Sequence, residues 1–378
     1  MTADQTSWIE IEANALVSNL AAFRSVLSPG CRLLVVVKSN AYGHGLDVAA
    51  PVLAAHADWL GVNSLEEALE LERLSLGKPI LIMGFTPLGR LATVVEHSFR
   101  QVVFRRDVVR ELGRAARDAG KNALVHVKIE TGTHRLGVPW FDLAMFSEEL
   151  QNTPGVDVEG AYTHFANIED TLDPSFAERQ LQRFRDALEI MEPLGLQPDL
   201  VHTAASAGVL LYPETHFSMV RVGIGAYGIW PSRETRIAAR ERGREIVLTP
   251  ALTWKSRIAQ IKNVTAGEYV GYGLTYQATR TMRLAVVPVG YYEGYGRKLS
   301  SSGRALVKGQ PVSVVGRVAM NMTMFDVTEV GAEEGDEVVL LGRQGEAEVS
   351  AEEIAEKTGT IPYETLSRIH PNIPRVLV

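Results

Sequence analysis

The chain has 378 residues, a formal net charge of −7 and one cysteine, with 46% hydrophobic and 22% charged residues, the proportions of an ordinary soluble enzyme. That length exceeds the roughly 250 to 300 residues at which a single core stops growing, so two domains are expected. The acidic balance argues against the basic patch of a nucleic-acid binder, the lone Cys31 excludes an intrachain disulfide or a cysteine-rich metal site, and the nine histidines show no paired metal-ligand spacing.

The N-terminal residues Met1-Thr2-Ala3-Asp4-Gln5 form neither a basic n-region nor an apolar h-region, and no apolar run is long enough to span a membrane. The expected compartment is the cytoplasm. Up to about residue 230, short apolar runs alternate with amphipathic stretches, the rhythm of βα units. Residues 33–37, 59–62, 80–83, 101–104, 123–129, 158–163, 200–203 and 220–225 read as strands, and 64–75, 106–119, 141–151 and 175–194 as helices. Eight such strands predict a TIM-type (β/α)8 barrel over residues 1–240, with the site on its C-terminal rim. Lys38, Arg135, His164 and Ser206 fall at or just beyond the ends of these runs, whereas Arg221 lies near the start of its own.

The segment 233–244 is rich in arginine but interleaved with acids and reads as a solvated face. Beyond it, alternating strands at 252–261, 282–289, 304–307, 311–315, 323–327 and 337–341, separated by Gly303, Gly309, Gly316, Gly331 and Gly335, predict an all-β domain over residues 241–378 with a short helix at 351–357.

The most informative stretch is Val36-Val37-Lys38-Ser39-Asn40-Ala41-Tyr42-Gly43-His44-Gly45, where an apolar strand delivers one lysine into a glycine-flanked turn. Such a lysine either snorkels to water or, once desolvated, becomes a nucleophile or Schiff-base former. Tyr42 offers a hydroxyl, and Gly43 and Gly45 allow close backbone approach, which together suit pyridoxal phosphate.

These residues resemble the lysine motif of the fold-type III pyridoxal phosphate enzymes, and among them the alanine racemases, with Ser39 where that family more often has alanine. Further matches recur in family order from Trp8 to Arg375. The resemblance implies that Lys38 and Tyr272, in Val270-Gly271-Tyr272-Gly273, are the two bases of a racemase interconverting L- and D-alanine and supplying D-alanine for peptidoglycan. Two are needed because a proton leaves one face of Cα and another arrives on the opposite face. It further implies a homodimer in which Tyr272 reaches the lysine of the other subunit, with the strand near Trp8 to Ile11 pairing with the C-terminal domain.

By the same resemblance Arg221, in Met219-Val220-Arg221-Val222-Gly223, faces the pyridine nitrogen, which an always-charged arginine cannot readily protonate, so the ring stays a weak electron sink. Ser206, the amides of Gly223 and Ile224, and Tyr363 match phosphate ligands; His164 matches a residue stacked on the ring. Arg135 matches the arginine that orients the cofactor and the substrate carboxylate, and the Met320 amide matches a second carboxylate contact. Lys128 matches a lysine carbamylated in some racemases, and Tyr291 and Arg317 resemble residues of the substrate access route.

Taken singly, these positions have bland readings: an acid-paired arginine for Arg221, a helix N-cap for Ser206, a surface ion pair for Arg135, a structural histidine for His164, a strand-edge aromatic for Tyr272. Two departures stand out: Ala205 where asparagine is expected, and Asn321 where many alanine racemases have aspartate, which raises serine as a second substrate. A fold-type III decarboxylase is the main alternative, and Arg221 argues against it; a non-enzymatic cofactor carrier is disfavoured by the module after residue 245.

Overall fold

The computed structural model describes residues 5–378. It forms two compact units, one of residues 15–39 and 50–249, the other of residues up to Asn14, Asn40–Ala49 and Pro250–Val378. After β1 (Ser7–Ile11), eight strands follow: β2 (Arg32–Val36), β3 (Trp59–Val62), β4 (Ile80–Ile82), β5 (Arg100–Val103), β6 (Ala123–Lys128), β7 (Val156–Tyr162), β8 (Leu200–His202) and β9 (Met219–Val222). They build one parallel sheet in the order β8-β7-β6-β5-β4-β3-β2-β9. The Ser218 N–H bonds Val201 O at 3.2 Å and the Arg221 N–H bonds Ala204 O at 3.0 Å, drawing the end strands β8 and β9 together into a nearly closed barrel.

Helices cover the outside, so the strands are apolar on both faces; Leu33, Leu34, Val35, Leu60, Leu81 and Val127 are fully buried. Local chemistry explains the helix ends. Leu65–Arg73 starts at a capping box in which Ser64 and Glu67 satisfy each other's backbone amides, and Arg106–Ala119 stops at Gly120, whose φ of 61° suits glycine. The segment expected as a solvated face lies on the helix Arg233–Glu241, whose Arg233, Arg236 and Arg240 are exposed; it is started by Ser232 Oγ accepting from the Thr235 amide at 3.0 Å and buries Thr235, Ala238 and Ala239 on its other side.

The second unit is built mainly of short antiparallel strands: β10 (Leu252–Arg257), β11 (Gln260–Val264), β12 (Tyr269–Val270), β13 (Tyr276–Gln277), β14 (Met282–Val287), β15 (Arg304–Val307), β16 (Gln310–Ser313), β17 (Thr323–Asp326), β18 (Glu337–Gln344), β19 (Ala347–Val349) and β20 (Arg375–Leu377). The run expected as one strand over 252–261 is two, because Ile258 bonds Asp336 O at 3.0 Å while Ala259 bonds Val286 O at 2.8 Å, turning the chain from one sheet to the next. The larger sheet runs β16-β15-β18-β10-β1-β20, with β19 paired to β18; β1 lies antiparallel to β10 and parallel to β20. Among the described residues, no helix is long and apolar enough to cross a membrane.

Candidate active site

Strand β2 runs into Lys38, and the next four residues leave in an unusual way. Ser39, Asn40, Ala41 and Tyr42 have φ of 56°, 54°, 51° and 53°, a left-handed turn made without glycine. Such backbone costs roughly 1–2 kcal/mol per residue, and several anchors hold it. The Ser39 amide bonds Glu67 Oε1 at 2.6 Å, the Gly45 amide bonds Asn40 O at 3.0 Å, and Asn40 Oδ1 accepts the Leu46 amide at 2.7 Å. Arg375 grips Gly43 O through Nη2 at 3.0 Å, and a Cβ on Gly43 would lie 2.1 Å from Leu366 O, so only glycine fits. Within this unit the rings of Tyr42 and Tyr363, both matched to the cofactor site, lie 6.2 Å apart.

Four cations gather at the C-terminal end of the barrel strands. Lys38 follows β2, Lys128 ends β6, Arg135 stands in the loop after β6, and Arg221 lies inside β9. Burial, and secondarily Arg135, lower the Lys38 amine below the ordinary lysine value. Burial, then Arg135 and Arg221, bring Lys128 down to about 8. His164, just beyond β7, is pushed down to about 3 by burial and by Arg221 and Arg135, so its ring is neutral.

Arg221 is the third residue of β9 rather than a residue at its start, and it is 4% exposed. Its guanidinium donates through Nη1 to His202 Nδ1 at 2.8 Å and His202 O at 3.0 Å, and through Nη2 to Thr163 O and Thr203 O at 2.9 Å each and to His164 Nδ1 at 3.3 Å. Carbonyls and imidazoles, not an acid, are its contacts; the expected bland reading of an acid-paired arginine fails here. The four Nη hydrogens are thereby engaged, leaving Nε–H as the fifth donor of the fork. Burial lowers this guanidinium to about 10.

Ser206 is not a helix cap. It is the first residue of the helix Ser206–Leu211, and its Oγ accepts from the amides of Gly223 at 3.1 Å and Gly225 at 3.4 Å. With both lone pairs engaged, its hydroxyl proton is free to be given to an anion. A Cβ on Gly225 would sit 2.4 Å from Phe23 Cζ, which keeps this turn tight against the helix Ala13–Arg24. A hydroxyl oriented by two glycine amides, the Ile224 amide between them and clustered cations form a donor set that fits a phosphate-bearing ring and a carboxylate.

The remaining predicted residues belong to the other unit. Tyr272 is 72% exposed on a turn where Gly271, Gly273 and Leu274 have φ of 76°, 73° and 49°, and Arg317 packs over Gly273. Met320 and Tyr291 are exposed too. Asn321 Nδ2 donates to Glu293 Oε1 at 2.7 Å.

Three participants escaped the sequence reading: Glu67 beside Ser39, and His126 and His202 behind Arg221. The available signal was a polar residue inside an otherwise apolar strand, as in Ala123-Leu124-Val125-His126-Val127 and Leu200-Val201-His202.

Family models for the alanine racemase N-terminal domain and C-terminal domain match residues 11–231 and 251–377. The sequence is similar to the alanine racemase of Leptospira interrogans, 42% identical over 99% of this chain and 96% of the relative. It is also similar to that of Syntrophobacter fumaroxidans, 43% identical over 97% of this chain and 96% of the relative. Among solved structures, the alanine racemase from Streptomyces lavendulae superposes with a TM-score of 0.92 at 36% identity, covering 99% of this chain and 97% of that one.

Proposed function

The chain belongs to the alanine racemase family, isomerases that interconvert L- and D-alanine, and on that premise we propose that it does so with pyridoxal phosphate as cofactor and Lys38 and Tyr272 as its two proton carriers. The observation that carries this reading is the barrel mouth itself: a desolvated Lys38 among Lys128, Arg135 and an Arg221 whose contacts are carbonyls and imidazoles. When bound, the cofactor withdraws electrons from Cα of the attached amino acid and makes its hydrogen acidic.

The Ser206 hydroxyl and the Ile224 amide would hold the phosphate, with the Gly223 amide orienting that hydroxyl, and the Arg221 Nε–H would be offered to the ring nitrogen without giving up its proton. Neutral His164 would stack against the bound ring. Arg135 takes the substrate carboxylate, a task that suits a planar guanidinium, and the partner subunit's Met320 offers its amide as the second contact. Lys38 exchanges the Cα proton of D-alanine and Tyr272 that of L-alanine.

Tyr272 comes from the partner subunit of a homodimer. A proton carrier has to work away from bulk water, yet Tyr272, Leu274, Met320 and Met322 are all more than half exposed on a single chain, as a surface awaiting a second copy would be.

The test is incubation of the holoenzyme in deuterium oxide with L-alanine, beside Lys38→Ala and Tyr272→Phe. D-alanine carrying deuterium at Cα, lost in both variants, is the expected result. Release of carbon dioxide, or no turnover despite bound cofactor, would overturn the proposal.

A further inference from the structure

Behind Arg221 a line of buried polar side chains crosses the barrel interior. Arg221 Nη1 meets His202 Nδ1 at 2.8 Å, His202 Nε2 meets His126 Nδ1 at 2.8 Å, and His126 Nε2 faces Glu159 Oε2 at 3.5 Å. Glu159 is clamped at its two oxygens by Arg100, at 3.0 and 3.3 Å. Both imidazoles are fully buried. The packing is specific: His202 stacks on Tyr162 with rings 4.7 Å apart, and a Cβ on Gly160 would lie 2.4 Å from His126 Nδ1. The β6–β7 register shifts between Val125 and His126, which places that ring against Gly160.

The direction of every bond follows from Arg221, which can only donate. His202 Nδ1 must accept, so its proton sits on Nε2. That proton goes to His126 Nδ1, so the proton of His126 also sits on Nε2, on the side of the Glu159 carboxylate but without a hydrogen bond to it. We propose that His202, His126 and Glu159 are positioning residues: the two imidazoles, their tautomers fixed by Arg221, form a one-way hydrogen-bond chain that sets its guanidinium, and Glu159, itself paired with Arg100, faces the far end of that chain two imidazoles away. This rests on the reading of Arg221 as the group facing the cofactor ring. An acid in direct contact would fix Arg221 by charge and blunt its field at the ring; a remote acid fixes it by geometry and leaves the field intact. Burial pushes both histidines below the ordinary value, in keeping with two neutral rings.

Two measurements test this. In ¹⁵N-histidine-labelled protein without cofactor, His126 and His202 are expected to appear as neutral Nε2–H tautomers; an imidazolium or an Nδ1–H tautomer at either ring in the wild type overturns the proposal, whatever any variant does. In Glu159→Gln, Arg221 still imposes the Nε2–H pattern on both rings while the negative charge facing the far end of the chain is gone, so the tautomers should stay as they are, and kcat in the loaded enzyme should fall about tenfold while KM for alanine stays within about twofold. An unchanged kcat in that variant, or a switch of either ring to the Nδ1–H tautomer, also overturns it. Absence of racemisation in the wild type would instead sink the racemase reading and leave the tautomer measurement standing.

Discussion

Glu67 holds Ser39 by its backbone: one carboxylate oxygen accepts the Ser39 amide at 2.6 Å, while the other accepts the amides of Asn63 at 2.7 Å and Ser64 at 3.3 Å. A single side chain therefore starts the helix Leu65–Arg73 and anchors the left-handed turn that follows Lys38. It also acts on Lys38 through space, since Glu67 raises the amine against the stronger lowering by burial and Arg135.

Glu67→Gln keeps one acceptor and removes the charge. Without that charge Lys38 loses its proton at lower pH, so the pH midpoint for pyridoxal phosphate uptake by the cofactor-free protein should move down. The weakened cap should cost about 1 kcal/mol, seen as a fall of roughly 2–4 °C in Tm. A midpoint that stays or rises contradicts the role given to Glu67.

Lys128 offers a pH-dependent reading of stability. Its amine titrates near 8 in the folded protein because it is buried beside Arg135 and Arg221, with Nζ 5.4 Å from the Tyr162 ring, against about 10.4 in an unfolded chain. Between those values the unfolded state holds more protons, so stability rises with pH across that window. Below pH 8 the penalty is present in full, at most about 3 kcal/mol at 1.36 kcal/mol per unit. In urea unfolding of the cofactor-free protein, the stability gap between wild type and Lys128→Met should shift in favour of wild type by about 2–3 kcal/mol from pH 7.5 to 10.5. Parallel pH curves would show that Lys128 keeps an ordinary pKa.

The barrel was legible because its strands, covered on both faces, appear as unbroken apolar runs such as Leu33 to Val37, and because Ser64 and Gly120 punctuate their helices. What escaped has physical reasons. The helix Leu46–His56 is apolar nearly all round and carries Pro51, so it shows little periodicity. Arg233–Glu241 buries only Thr235 and two alanines, a stripe too thin to stand out among its charges. The left-handed turn at Ser39–Tyr42 has no glycine to announce it; its anchors, Glu67 and Arg375, lie 28 and more than 300 positions away. Lys38, Arg221 and Ser206 were nameable from their motifs, but which atoms of Arg221 remain for a ligand depends on His202, Thr163 and Thr203, whose carbonyls carry no sequence mark.

Asn321 can be tested on its own contact. Its amide donates to Glu293 Oε1 at 2.7 Å, and Glu293 Oε2 accepts the Gly290 amide at 2.8 Å. Asn321→Asp places two carboxylates together and raises the pKa of the pair, so stability equal to wild type at low pH should fall as pH rises through the carboxylate range, by about 0.5 kcal/mol at this exposed site. If the amide widens the substrate range, the same variant lowers the serine-to-alanine ratio of kcat/KM; an unchanged ratio removes Asn321 from specificity.

Tyr272 and Gly273 separate chemistry from presentation. The Tyr272 ring stands 72% exposed on a single chain, so Tyr272→Phe removes a hydroxyl that supports no core, and the stability of the isolated chain should change by less than about 0.5 kcal/mol. As a proton carrier its loss should lower kcat by about 10² to 10⁴. Gly273→Ala acts on the turn instead: φ is 73°, and the new Cβ would lie 3.0 Å from the Arg317 guanidinium carbon. That strain should cost about 1 kcal/mol or more and move the tyrosine, so both stability and kcat fall, whereas Tyr272→Phe affects kcat alone. Thermal unfolding and deuterium uptake at Cα, measured on both variants, decide it: if Gly273→Ala loses stability but keeps wild-type kcat, the turn is scaffold rather than the device that aims Tyr272.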